Sequence, residues 1–151
     1  MQHLDEIMYL MRKRSQKFPN IFPTNVAILE DYWTQSVGGF YVAVVEKNEK
    51  QSFWCPKDLK RYCQGERPIC GTSWEAVDLL FVPLNITNTH WVTMVFDILE
   101  WYIYIFNSDP SGTSPEKMKG IVEPFVHLVP KILKPNSLFD HLVKVREEAH
   151  F

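Results

Sequence analysis

Between residues 79 and 106 three short apolar runs follow one another with only a few residues between them, and that spacing points to a sheet. The runs are Leu79-Leu80-Phe81-Val82-Pro83-Leu84, then His90 to Phe96, then Trp101 to Phe106. Each is too short for an ordinary helix and is rich in β-branched and aromatic residues, so each reads as a central strand. The intervening segments, Asn85 to Thr89 and Asp97 to Glu100, are too short for the crossover that a parallel pair needs. Antiparallel neighbours follow. Asn107-Ser108-Asp109-Pro110-Ser111-Gly112 closes the third run with turn-forming residues.

Helices are expected on both sides of this sheet. Leu4, Ile7, Met8 and Met11 fall on one helical face, with Asp5 and Glu6 in the first turn and Arg12, Lys13 and Arg14 in the last. Pro19, Asn20 and Pro23 place a loop over Phe18 to Thr24. Ile28 to Trp33 fits either a helix or a strand. Gly38-Gly39 leading into Phe40-Tyr41-Val42-Ala43-Val44-Val45 predicts a strand, the polar stretch Glu46 to Lys50 a turn, and Gln51 to Trp54 the second arm of a hairpin. Ser114 reads as an N-cap, with Pro115 at the first helical position. Met118, Ile121, Val122, Phe125, Val126 and Val129 continue the helix, which Pro124 should kink and which should end near Pro130. After Pro135 the chain is weakly patterned.

Composition narrows the function classes. The 151 residues are 46% hydrophobic and 23% charged, enough for one domain with a real core. A net charge of −2 gives no bulk attraction to nucleic acid or to an anionic membrane. No apolar stretch approaches the roughly 20 residues that span a bilayer, and the N-terminus lacks the pattern of a signal peptide. Three cysteines, Cys55, Cys63 and Cys70, make an odd count that suits a reducing intracellular compartment, nucleus or cytoplasm. Seven residues separate the first two and six the second pair, so no zinc-type Cys pair exists, and no metal or other cofactor is implied. Cys70-Gly71-Thr72-Ser73-Trp74 matches the papain nucleophile motif only superficially, since Ser73 stands where the nucleophile belongs.

His90 is the residue that could carry chemistry. It opens the second strand, and Asn107 ends the third, 17 positions later. If the two strands pair antiparallel, the start of one lies beside the end of the other. A histidine oriented by an amide or carboxylate is two thirds of a nucleophilic triad. Taken alone, the plainer reading of His90 is a polar residue at a strand end.

The surrounding residues favour the sharper reading. Asp78-Leu79-Leu80-Phe81-Val82-Pro83-Leu84-Asn85-Ile86, followed by His90-Trp91 and by a strand ending Phe106-Asn107-Ser108, resembles the ubiquitin-like-protein-specific cysteine proteases, the SUMO-protease (Ulp/SENP) family of adenain-like enzymes, and particularly its divergent plant members. The opening helix from His3 to Arg14 resembles the first helix of those domains. The resemblance implies an α+β, papain-like (adenain-type) fold, with a small mixed or antiparallel sheet flanked by helices. Residues 1–135 would form the family domain and residues 136–151 a weakly patterned tail. It implies cysteine-type hydrolysis after a Gly-Gly tail, with a SUMO-like modifier or its conjugates as partner. His90 matches the general base, Trp91 the aromatic that covers the channel for the tail, and Asn107 the position of the orienting Asp. Asp109 could replace Asn107 as the orienting group if the turn bends back.

The same resemblance exposes a departure. The family places an oxyanion-stabilising Gln and an Asp-Cys-Gly nucleophile after the last helix, whereas this chain has no Cys after Cys70 and no Gln after Gln64. The expectation is therefore a domain truncated before its nucleophile and inactive as it stands. A non-catalytic module that binds a ubiquitin-like modifier, and a gene fragment without a selected function, are the competing readings. Truncation should also uncover the apolar faces carried by Val92 to Phe96 and Tyr102 to Phe106. Leaving roughly 300 Å2 of apolar surface exposed forfeits about 7 kcal/mol, so a marginal chain with an open apolar patch is expected.

Overall fold

The three apolar runs form the centre of the sheet in the computed structural model, which describes residues 2–46, 55–133 and 144–148. In chain order the elements are α1 (Gln2–Lys17), β1 (Val26–Ile28), α2 (Asp31–Glu46), α3 (Lys57–Cys63), β2 (Leu79–Asn85), β3 (Trp91–Asp97), β4 (Tyr102–Phe106), α4 (Pro115–Leu133) and β5 (Lys144–Glu148). Short 3-10 turns at Trp74–Ala76 and Pro110–Gly112 precede β2 and α4. Among the described residues the sheet has five strands in the order β1-β2-β3-β4-β5. The central pairs β2/β3 and β3/β4 are antiparallel, and the edge pairs β1/β2 and β4/β5 are parallel. The chain between each parallel pair supplies a helical crossover, α2 and α3 for the first and α4 for the second.

Side chains alternate between the two faces of the sheet. Leu80, Val82 and Leu84, Val92, Met94 and Phe96, and Ile103 and Ile105 are buried on the face that α2 and α4 cover. Trp33 of α2 is fully buried there, edge-on to Trp74 at 5.9 Å and tilted against Phe125 of α4 at 5.6 Å. These three rings tie both helices and the turn before β2 to one point of the core. On the opposite face Ile28, Leu79, Phe81, Pro83, Thr93, Val95, Tyr104 and Phe106 line an open apolar cleft of about 530 Å3, which Met8 and Met11 of α1 flank on one side.

The largest difference from expectation is α2. Phe40 to Val45 was expected as a strand after a glycine break, but the residues belong to a 16-residue helix that begins at Asp31. Trp33, Val37, Phe40 and Tyr41 recur at three- and four-residue spacing and turn to the core, so burial of that face outweighs local strand propensity. The first turn is held by Asp31, whose carboxylate accepts Gln35 Nε2 at 2.5 Å while its carbonyl accepts the Thr34 hydroxyl at 2.7 Å. A Cβ at Gly38 or Gly39 would meet nothing within 4 Å, so neither glycine is demanded by packing. The proposed hairpin arm from Gln51 to Trp54 lies outside the described residues.

Three smaller features have physical reasons. Helix α4 continues past Pro130 to Leu133, because Leu128, Val129, Pro130 and Ile132 are all buried and their packing offsets the lost backbone bond. In the weakly patterned stretch after Pro135, Lys144–Glu148 adds to β4 as β5, through backbone pairing that needs no apolar alternation. Exposed Lys144 and Arg146 on this edge discourage further strands from adding to it. Arg12, in the last part of α1, is only 5% exposed and donates to the carbonyls of Ile69 at 2.8 Å and Ile28 at 3.2 Å. Burial pulls its guanidinium below its usual pKa, and the Glu30 carboxylate offsets part of that.

Two expected outcomes test this packing. Gly39→Ala should stabilise the protein by about 0.5–1 kcal/mol in a urea titration, since it restricts the unfolded chain at an exposed helical site with open space; a loss would place Gly39 outside a helix. Trp33→Ala should cost about 3–5 kcal/mol in the same titration, and a cost below 1 kcal/mol would contradict its place at the centre of the core.

Candidate active site

The register of β3 and β4 builds the site. Thr93 pairs with Phe106, so the residues just before β3 run alongside those just after β4. His90 precedes β3 at the end of a turn that the Ile86 N–H closes on the His90 carbonyl at 2.9 Å. Asn88 takes the left-handed conformation in that turn, φ 61°, which asparagine tolerates well. Asn107 follows β4 directly and is fully buried. Their side chains meet, with His90 Nε2 2.8 Å from Asn107 Oδ1.

A second donor fixes which way the Asn107 amide points. The backbone N–H of Asp109 reaches the same Oδ1 at 3.0 Å, and a backbone N–H can only donate. The oxygen of the amide therefore faces both groups, and His90 donates from Nε2. In the neutral ring Nδ1 is then the nitrogen with a free lone pair, the one able to take a proton from a nucleophile. A neutral amide orients the ring without supplying the negative charge that an Asp would place beside an imidazolium.

Asp109 does not reach His90 in the way an orienting carboxylate would. Its Oδ1 turns forward and accepts the Ser111 hydroxyl at 2.5 Å and the Ser111 N–H at 3.2 Å, capping the turn at Pro110–Gly112. Those bonds, the hydroxyl first, hold the exposed carboxyl below its usual pKa, and the nearby His90 adds to this in the same direction. Trp91 is half-buried at the first position of β3, opposite Asn85 and on the sheet face of the apolar cleft. The role of Asp109 as a backbone donor was not legible in its residue type; the Asp-Pro-Ser sequence marked only a capped turn.

The three cysteines lie in and around α3, Cys55 before it and Cys70 in a turn after it. Cys63 is the last residue of α3, and its thiol donates to the Leu59 carbonyl at 3.5 Å. Burial pushes its pKa up to about 12 and raises that of Cys55 as well. Cys55 donates to the Pro56 carbonyl at 3.6 Å, and the Cys70 carbonyl accepts Gln16 Nε2 at 3.1 Å. Among the described residues no group of three or more His, Cys, Asp or Glu side chains could hold a metal ion. No described helix is long and apolar enough to cross a membrane.

A buried amide holding the ring of a histidine at a sheet end is the geometry in which a base and its orienting group are held in nucleophilic sites. The chain belongs to the Ulp1 protease family, a family of cysteine proteases: the model of that family's C-terminal catalytic domain matches residues 1–140. Among solved structures it is similar to the C-terminal Ulp1 protease domain in complex with Smt3, the yeast orthologue of SUMO, at 14% identity and a TM-score of 0.58. It is also similar to the SUMO protease Ulp1 with its catalytic cysteine oxidised to a sulfinic acid, at 16% identity and a TM-score of 0.57. These matches cover 95% and 96% of this chain but 52% and 55% of the others, so the chain spans about half of their length. At such identities the likeness shows the fold, an α+β architecture with a five-stranded mixed sheet. No curated protein sequence matches the chain significantly.

The thiol environments give one expected outcome. A rise from the ordinary value of 9.0 to about 12 lowers the thiolate fraction of Cys63 on the order of a thousandfold at neutral pH. Iodoacetamide at pH 7.5 should leave Cys63 unlabelled in the folded protein and label it in denaturant, as read by mass spectrometry of the peptides. Rapid labelling of Cys63 in the folded state would contradict its burial.

Proposed function

We propose that this chain is the part of a Ulp1-type domain that receives the Gly-Gly tail of a SUMO-like modifier and carries the base of the site. His90 acts as the base through Nδ1, Asn107 orients it, and Trp91 covers the tail. The observation that carries the reading is the 2.8 Å contact between His90 and Asn107 within a family of cysteine proteases. The solved complex of a related domain with Smt3 supports the class of partner.

In the family reaction a thiolate attacks the carbonyl carbon after the Gly-Gly tail, while the histidine first accepts the thiol proton and then gives it to the leaving amine. The 151 residues supply the base and its orienting group. Cys55 and Cys63 are turned to backbone carbonyls of their own segments and disfavour thiolate, and neither a Cys nor a Gln follows β3. On their own these residues bind the modifier without cleaving it.

Titration calorimetry with a mature SUMO-like modifier should show binding that weakens at least tenfold in Trp91→Ala, about 1.4 kcal/mol. A lysine-linked modifier should stay uncleaved, and a modifier with a C-terminal electrophile should form no adduct. Absence of binding would remove the partner from the account. An adduct at any of the three cysteines that His90→Ala abolishes would show that the chain is itself a protease.

A further inference from the structure

The hydrogen bonds around Asn107 form a short series that runs away from His90. His90 Nε2 and the Asp109 N–H converge on Asn107 Oδ1, at 2.8 and 3.0 Å, and the Asp109 carboxylate accepts both the N–H and the hydroxyl of Ser111. An asparagine amide has two nearly isosteric orientations, and the partners around it decide between them. If the Asp109 N–H were withdrawn, the orientation that turns the NH2 group to the histidine would gain in population. Nε2 would then have to accept, the ring hydrogen would move to Nδ1, and the nitrogen that serves as base in the proposed reaction would carry no lone pair.

We propose that Asp109 is a positioning residue for His90. Its carboxylate, by capping the turn at Ser111, holds its own backbone N–H on Asn107 Oδ1, and so favours the amide orientation that leaves Nδ1 of His90 free. The carboxylate works here as a cap, not as a charge. An uncharged side chain with an oxygen in the same place therefore does the same work. Asp109 φ and ψ, −134° and 80°, aim the N–H back toward Asn107 while the side chain reaches forward. The catalytic consequence rests on the reading of His90 as base, but the ring tautomer can be measured without substrate, so the two ideas fail separately.

The test is the 15N spectrum of the imidazoles in the full chain, with the His90 signals among the five histidines assigned by their loss in His90→Gln. The wild type should show Nε2 protonated and Nδ1 bare. Asp109→Ala should raise the Nδ1–H fraction about fivefold, the loss of one net hydrogen bond, and Asp109→Asn should leave it at the wild-type value. Asn107→Asp combined with Asp109→Ala should restore the wild-type tautomer, because a carboxylate has no NH2 group to present. An Nδ1–H ring in the wild type, an Asp109→Ala spectrum like that of the wild type, or failure of the double variant to restore it would overturn the proposal. Should Asp109→Ala not fold, amide hydrogen exchange in the folded proteins decides. The Asp109 N–H should be protected in the wild type and lose that protection in Asn107→Ala, and exchange at the unfolded-chain rate in the wild type would overturn it.

Discussion

The antiparallel register of β3 and β4 is the constraint on which the site depends. With Thr93 opposite Phe106, a residue three places before the first of these and one place after the second come into hydrogen-bond range, and they are His90 and Asn107. Because side chains alternate along a strand, a slip of one residue would turn Met94 and Phe96 out of the core and Thr93 and Val95 into it. The apolar pattern that stabilises the sheet thus also sets the separation of the two polar groups. Fold and site share one source of precision.

That register is held from one side by the rings of Trp33, Trp74 and Phe125, which join α2, the turn before β2 and α4. The other side is different in kind. Its residues are mostly apolar and, among the described residues, Met8 and Met11 of α1 flank them around a cleft of about 530 Å3. The faces carried by Val92 to Phe96 and Tyr102 to Phe106 divide accordingly. Val92, Met94, Phe96, Ile103 and Ile105 are covered, while Thr93, Val95, Tyr104 and Phe106 line the cleft.

Strands β2 to β4 and helices α1 and α4 were legible in the sequence because each has one dominant pattern: a short apolar run, or a helical stripe with fitting ends. Helix α2 was not, because Gly38-Gly39 split its apolar face into two pieces, and the longer piece was rich in strand formers. Only burial of Trp33 and Val37 together with Phe40 and Tyr41 shows them to be one face. β5 was illegible for the opposite reason, since Lys-Val-Arg-Glu-Glu owes its conformation to the backbone of β4 and not to its side chains. At the site, the meeting of His90 and Asn107 followed from antiparallel pairing alone. Whether Asn107 or Asp109 would meet the histidine depended on which way a turn bends: in the structure His90 Nε2 lies against Asn107 Oδ1, and the Asp109 N–H donates to that same oxygen.

The central proposal is that the sheet end that carries His90, Trp91 and Asn107 receives the tail of a SUMO-like modifier. The most direct measurement places a photoactivatable group at the end of that tail, cross-links it to the folded chain, and locates the modified residues by mass spectrometry. The account predicts cross-links concentrated on the turn before β3 and the turn after β4, lost when unlabelled modifier competes. Cross-links confined to α1 or α3, or no labelling above a modifier lacking the Gly-Gly tail, would contradict it.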